Sequence, residues 1–188
     1  MDATTPDVKL TYDDLLKMPD DGLRHELIDG EHFVTASPNL RHQQILGELY
    51  GLLWSWLVDH PTGRVYFAPI DVVLSPIDVV VPDLVYMSHE RAAQIGTLQA
   101  VRGMPELIVE VLSPSTRKRD QTRKRNLYER DGAEEYWIVD PVNDAVRVHR
   151  RETDGRFAPA REFSRASDDV LTTELLHGLE IPLARLFG

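Results

Sequence analysis

The chain has no cysteine, which excludes a disulfide framework, a thiolate zinc site and a cysteine nucleophile. It also lacks any apolar run near the roughly 20 residues that a membrane-spanning helix needs. The opening MDATTPDVKL has no basic n-region followed by an apolar h-region, so a cytoplasmic protein without a membrane span is expected. Positive charge is scarce as well. The 21 Lys and Arg face 31 Asp and Glu, a formal net charge of −10, whereas domains that coat nucleic acid carry a basic footprint. The seven histidines show no H-E-x-x-H spacing, no Walker-type or dinucleotide glycine pattern occurs, and Ser113 and Ser115 lack a G-x-S-x-G setting.

What is present suits one folded domain: 188 residues, 42% hydrophobic and 28% charged, with no internal repeat or linker-like tract. Charge is unevenly spread. Seven basic residues fall between Arg117 and Arg130, opposed there only by Asp120 and Glu129, so one positive segment sits on a negative body. A solvated helix face is the ordinary explanation of such a run.

Local patterns predict the elements. Thr11 caps a short helix over YDDLLKMP, and HELIDGEHFV alternates around Asp29-Gly30 as a hairpin. From Leu40 to Val58 the apolar residues recur at three- and four-residue steps, the mark of a long amphipathic helix. Three Pro-punctuated segments, RVYFAP, DVVLSP and VVVPDLVYMS, read as a meander of strands. ELIVEVLS is apolar on both faces and belongs near the centre of a sheet. Ser115 is expected to cap a helix running to about Arg130, with Gly132 as its C-terminal stop. EEYWIVD and AVRVHRR form a strand pair, followed by weaker strands and a helix at LARLF.

Glu110 is the anomaly, a carboxylate inside the apolar strand LIVEVL. Burying a lone carboxylate costs several kcal/mol, so it calls for a cation, a proton or a partner. Asp83 opens another apolar strand just after Pro82; if the two strands are neighbours, both carboxylates converge. Two hard oxygen ligands with room for water suit Mg²⁺. Asp120, Lys124 and Tyr128 follow at steps of four and share one helix face, so the Lys124 ammonium can lie beside the carboxylates or reach a phosphate oxygen. A cation there also acidifies water to a nucleophile near neutral pH. Each of these residues alone has a structural explanation: a turn Asp, a paired core Glu, a solvated Lys. His42 on the long helix is expected to be structural or to support a ligand, and Trp54 and Trp56, two residues apart, to face different sides of that helix with core packing as the default.

PDLVYM, ELIVEVLSPSTRKRD and KRNLYERDGAEEYWIVDP together resemble the Uma-two family of restriction endonucleases within the PD-(D/E)XK nuclease superfamily. HELIDGE, SPNLRH and HGLEIPLARLF extend the resemblance over nearly the whole chain. It implies an α/β (α+β) restriction-endonuclease-like fold: one domain over 1–188, a mixed central sheet flanked by helices, with residues of about 8–36 and 144–188 as elaborations. It implies Asp83, Glu110 and the main-chain carbonyl of Val111 as metal ligands, with Glu26 as a further acid of the site and Asp71 as a weaker one. The superfamily lysine would stand two residues after the glutamate, where this chain has Leu112; the resemblance makes Lys124 its displaced counterpart.

The expected activity is Mg²⁺-dependent endonucleolytic hydrolysis of nucleic acid, DNA before RNA, with Mn²⁺ able to substitute. Arg117, Lys118, Arg119 and Arg123, with Tyr128, would contact substrate, and a homodimer would serve double-strand cleavage. Two alternatives stay open: an inactive nuclease-fold binding module, and a metal-dependent hydrolase of small phosphorylated substrates.

Overall fold

The computed structural model describes residues 9–188; residues 1–8, part of the single-domain reading and of the opening MDATTPDVKL, lie outside the described residues. Helix α1 (Tyr12–Leu15) starts in a full capping box between Thr11 and Asp14. Strands β1 (Arg24–Ile28) and β2 (Glu31–Thr35) form the expected hairpin, with Asp29 and Gly30 at φ 54° and 74° in the left-handed conformation that an Asp-Gly turn takes up cheaply. Asn39 caps α2 (Leu40–Asp59), whose Ile45, Leu49 and Leu53 are completely buried.

The extended middle of the chain is not one meander. Strands β3 (Gly63–Phe67) and β6 (Leu84–Ser88) pair with each other, while β4 (Val72–Ser75) and β5 (Asp78–Val80) leave to join the hairpin in a separate four-stranded sheet of order β2-β1-β5-β4. Pro69 and Pro82 flank the excursion, and a residue without an N–H is a natural place for a chain to quit a ladder. Helix α3 (His89–Ile95) is additional to the elements expected from sequence; Ser88 caps it by accepting the Arg91 N–H.

Strand β7 (Leu107–Val111) is central, as its apolar run requires. The six-stranded sheet has the order β10-β9-β8-β7-β6-β3, completed by β8 (Glu135–Asp140), β9 (Ala145–Arg150) and β10 (Arg161–Ser164). Only β7 and β8 run parallel; every other pair is antiparallel, so the sheet is mixed. A parallel pair needs a crossover. It is supplied by α4 (Arg117–Arg119), a π-helical turn (Asp120–Lys124) and α5 (Arg125–Asp131), which stops at Gly132 with φ 96°. The chain closes with β11 (Val170–Thr172), β12 (Glu180–Pro182) and α6 (Leu183–Leu186).

Two cores sandwich the main sheet. Leu107, Val109 and Val111 pack on the α2 side; Ile108 and Leu112 pack on the opposite side with Leu127, Tyr128 and Tyr136. Strand alternation therefore assigns Glu110 to the crossover side. Ser115 does not cap the crossover helix: Thr116 precedes it without a side-chain cap, and Ser113 Oγ lies within hydrogen-bond distance of both the Ser115 and Thr116 hydroxyls. Trp54 is exposed rather than packed in the core, while Trp56 is half-buried and stacks on His60.

Candidate active site

Strand register brings Asp83 and Glu110 together. Leu84 pairs with Val109 across β6 and β7, so one step outward Asp83 stands beside Glu110 at the sheet's end. The contact is closed by the backbone, because Asp83 Oδ2 accepts the Val111 N–H at 2.9 Å. The same oxygen lies 3.1 Å from His42 Nε2, and Asp83 Oδ1 accepts from Arg24 Nη1 at 2.8 Å. His42 thus supports the carboxylate from α2. Arg24 carries no sequence signal that distinguishes it from an ordinary hairpin arginine.

Glu110 Oε1 accepts two hydrogen bonds, from Lys124 Nζ at 2.8 Å and from the Tyr128 hydroxyl at 2.8 Å. Lys124 Nζ also contacts Glu26 Oε1 at 2.6 Å and lies 3.8 Å from Asp120 Oδ1. Glu26 is held further by the Val81 N–H and by Arg119. The π-helical turn widens the helix where Asp120 and Lys124 face the sheet, and the Tyr136 hydroxyl donates to the Asp120 carbonyl at 3.0 Å. A hydrogen bond from outside the helix eases such a departure from the regular ladder.

Other expected contacts are placed differently. Tyr128 is completely buried with its hydroxyl on Glu110, so it cannot meet substrate as anticipated; it steadies the carboxylate. The basic stretch is largely spent on the protein itself: Arg117 forks onto Asp140, Arg119 pairs with Glu26, Arg123 with Glu31 and Arg125 with Glu129. Lys118 alone of these is exposed with no ion pair among the described residues. Asp71 lies apart from the cluster, accepting from the Tyr12 hydroxyl.

The electrostatics follow from burial. Desolvation raises Glu110 to about 8, against the pull of Lys124 and with the push of Asp120, Asp83 and Glu26. Desolvation also raises Asp120. For Asp83 it is outweighed by His42 and Arg24, which hold that carboxyl below its usual range. Burial would discharge Lys124, but Glu110, Glu26 and Asp120 outweigh it and keep the ammonium charged. One ammonium cannot neutralise three carboxylates, and Glu110 and Asp120 share the deficit.

Counting the cluster, Glu26, Asp83, Glu110 and Asp120 oppose Arg24, Arg119 and Lys124, leaving one excess negative charge if all are ionised. Asp83, Glu110, Val111 and Lys124 line a cavity of ≈ 290 Å³. Three of the four buried side-chain atoms without a hydrogen bond among the described residues belong to this neighbourhood: His42 Nδ1, Arg119 Nε and Asp120 Oδ1. Orphan groups of this kind cost about 1–3 kcal/mol each, so the cluster suits an occupant that brings charge and water. Among the described residues no three His, Asp or Glu side chains are grouped to hold a metal by themselves. Mg²⁺ does not require that, since it accepts one or two carboxylates and retains water. The donor set therefore fits a hydrated divalent cation on Asp83 and Glu110.

Residues 12–184 match the Uma2 family model, whose description is "Putative restriction endonuclease". Comparison with curated proteins finds no match. Among solved structures the chain is similar to one described as "a putative nuclease belonging to DUF820 from Anabaena variabilis ATCC 29413". The TM-score is 0.78 at 20% sequence identity, covering 95% of this chain and 97% of that one, so the two share a fold.

Proposed function

Since the chain belongs to the Uma2 family of restriction-endonuclease-like proteins, we propose that it is a divalent-metal-dependent endonuclease hydrolysing phosphodiester bonds, with DNA as substrate. The observation that carries this reading is the meeting of Asp83 and Glu110 at the end of adjacent strands, with the Lys124 ammonium 2.8 Å from Glu110. Mg²⁺ or Mn²⁺ held by Asp83, Glu110 and the Val111 main chain would supply Lewis acidity toward phosphate and water. Asp83 is oriented for this by Arg24, His42 and the Val111 N–H. Lys124 is poised to hold the attacking water or to offset charge developing on the phosphate oxygens, and Glu26 fixes where its ammonium points. Because most arginines of the crossover helix are engaged by acids, tracking of the nucleic-acid backbone contracts to Lys118, and to Arg123 where a phosphate displaces Glu31.

The test is cleavage of single- and double-stranded DNA and RNA by purified protein with Mg²⁺, Mn²⁺ or chelator. Asp83→Asn and Glu110→Gln are each expected to lower metal-dependent cleavage at least about 100-fold while retaining the fold. Equal cleavage by parent and both variants refutes the assignment. The engaged arginines favour one rival, a metal-dependent hydrolase of small phosphorylated substrates. It separates by substrate, since a hydrolase of that kind turns over a small phosphate ester with the same metal and leaves DNA and RNA intact.

A further inference from the structure

The outer face of α2 has a second, uncharged line, apolar at its ends, that packs on nothing among the described residues. Leu40, Gln44, Gly47, Gly51, Trp54 and Val58 are all exposed, and their alternating steps of four and three residues set them in one row along the helix. Leu40 is 89% exposed, Val58 59% and Trp54 55%, while the opposite face of the helix is the core. Isolated exposed apolar residues are ordinary; a row at helix-pairing spacing is not.

The two glycines sharpen the point. Each costs about 1 kcal/mol relative to Ala inside a helix. A Cβ at either position would meet nothing within 4 Å, and neither has the positive φ that would favour glycine. Packing among the described residues gives no reason for them. They leave a shallow groove at the middle of the row, where another helix axis can come close.

The row is also symmetric. Leu40 and Val58, Gln44 and Trp54, and Gly47 and Gly51 are each equidistant from position 49. We propose that this face is a homodimer interface in which α2 packs antiparallel against α2 of a second copy, about a twofold axis near residue 49. Leu40 then meets the partner's Val58, Trp54 lies over the partner's Gln44 beside the space left by its Gly47, and the glycines meet at the crossing. Such self-matching is what an isologous contact requires.

Charge favours the same occupant and direction. The row holds no charged residue, so it is where two chains of net charge −10 can approach at least cost. On its flank stand Arg41, already paired with Asp144 at 3.0 Å, near one end and the exposed Asp59 at the other. Antiparallel pairing brings the Arg41–Asp144 pair to the same end as the partner's Asp59, whereas parallel pairing gathers both Asp59 carboxylates at one end. Glu48, close to the axis, is already matched by Arg185 at 2.9 Å. The interface does not depend on the nuclease reading. It would hold the two His42 rings, and the sites they support, about 21 Å apart along the helix direction.

The full chain is expected to sediment at micromolar concentration with twice the 21.4 kDa mass of one chain. Trp54→Glu and, independently, Val58→Glu should return it to the single-chain mass with unchanged circular dichroism and melting. The absence of cysteine permits a clean test of geometry. A mixture of Leu40→Cys and Val58→Cys proteins should form a disulfide-linked dimer on mild oxidation, whereas Leu40→Cys alone should not, because its two copies would lie about 27 Å apart along the axis. A monomeric parent, a dimer indifferent to both glutamates, or self-linking of Leu40→Cys as efficient as the mixture overturns the proposal.

Discussion

Asp83 Oδ2 accepts the main-chain N–H of Val111 at 2.9 Å, which ties the proposed metal-binding carboxylate to the strand that carries Glu110. The bond spans 28 positions of sequence and does not involve the cation it would serve. Preorganisation of this kind removes the cost of gathering two acidic groups when metal arrives.

Arg24 balances Asp83 from the opposite oxygen, at 2.8 Å and mostly shielded from water. Arg24→Met should destabilise the protein by about 3 kcal/mol, because a buried carboxylate loses its countercharge. Urea unfolding measures this, and a loss no larger than that of an exposed arginine would contradict the pairing.

The raised Glu110 group predicts how stability varies with pH. Its carboxyl titrates near 4.5 when exposed and is pushed up to about 8 by burial, so between those values the folded state binds more protons than the unfolded. Stability from this group is complete below pH 4.5 and is lost as pH rises toward 8. A divalent cation on the carboxylate opposes that loss. Thermal melts in chelator should therefore fall from pH 6 to 8 more steeply than melts in Mg²⁺, and Glu110→Gln should flatten the chelator profile. Identical profiles for parent and variant would refute the linkage.

Lys124 sits between Glu110 and Glu26, so Lys124→Met leaves two acids facing each other without an ammonium. The expected cost is about 3–5 kcal/mol together with loss of cleavage. Adding Glu26→Gln should recover much of the stability and none of the activity. Were the double variant as active as the parent, Lys124 would have no part in the reaction.

Commitment of the arginines predicts weak dependence of DNA affinity on salt. A protein making 6–10 phosphate contacts loses roughly 10³–10⁵-fold between 50 and 200 mM salt. With Lys118 and at most Arg123 free to act, the slope of log affinity against log salt should be about −1 to −2, and Lys118→Ala should reduce it by about one. A slope several times steeper would mean that substrate pulls Arg117, Arg119 and Arg125 from their acids.

Much of the fold was legible because its signals are local. Asp29-Gly30, Asn39 and Gly132 act within a few residues of themselves, and the two-sided apolar run around Ile108 declares a central strand. Helix α3 also carries a local signal, a cap at Ser88 followed by Glu90 in its first turn. The departure of β4 and β5 to a second sheet was not legible, because a strand's pattern says which face is buried and not which neighbour it joins. Within the site, Glu110 and Lys124 stood out as a buried acid and a cation at helical spacing, whereas Arg24 and Arg119 look in sequence like any surface arginine.

Sequence alone determined the inventory: a cysteine-free acidic chain, two carboxylates on apolar strands and a lysine one helix further on. Which charges meet was decided only by the tertiary structure. Coulombic pairing depends on distance and on exclusion of water, and both are set where strands and helix converge from 28 to 98 positions apart, as Asp83 with Val111 and Glu26 with Lys124 show. The same folding turned a basic segment that looked free for nucleic acid into the counter-ions of the protein's own acids.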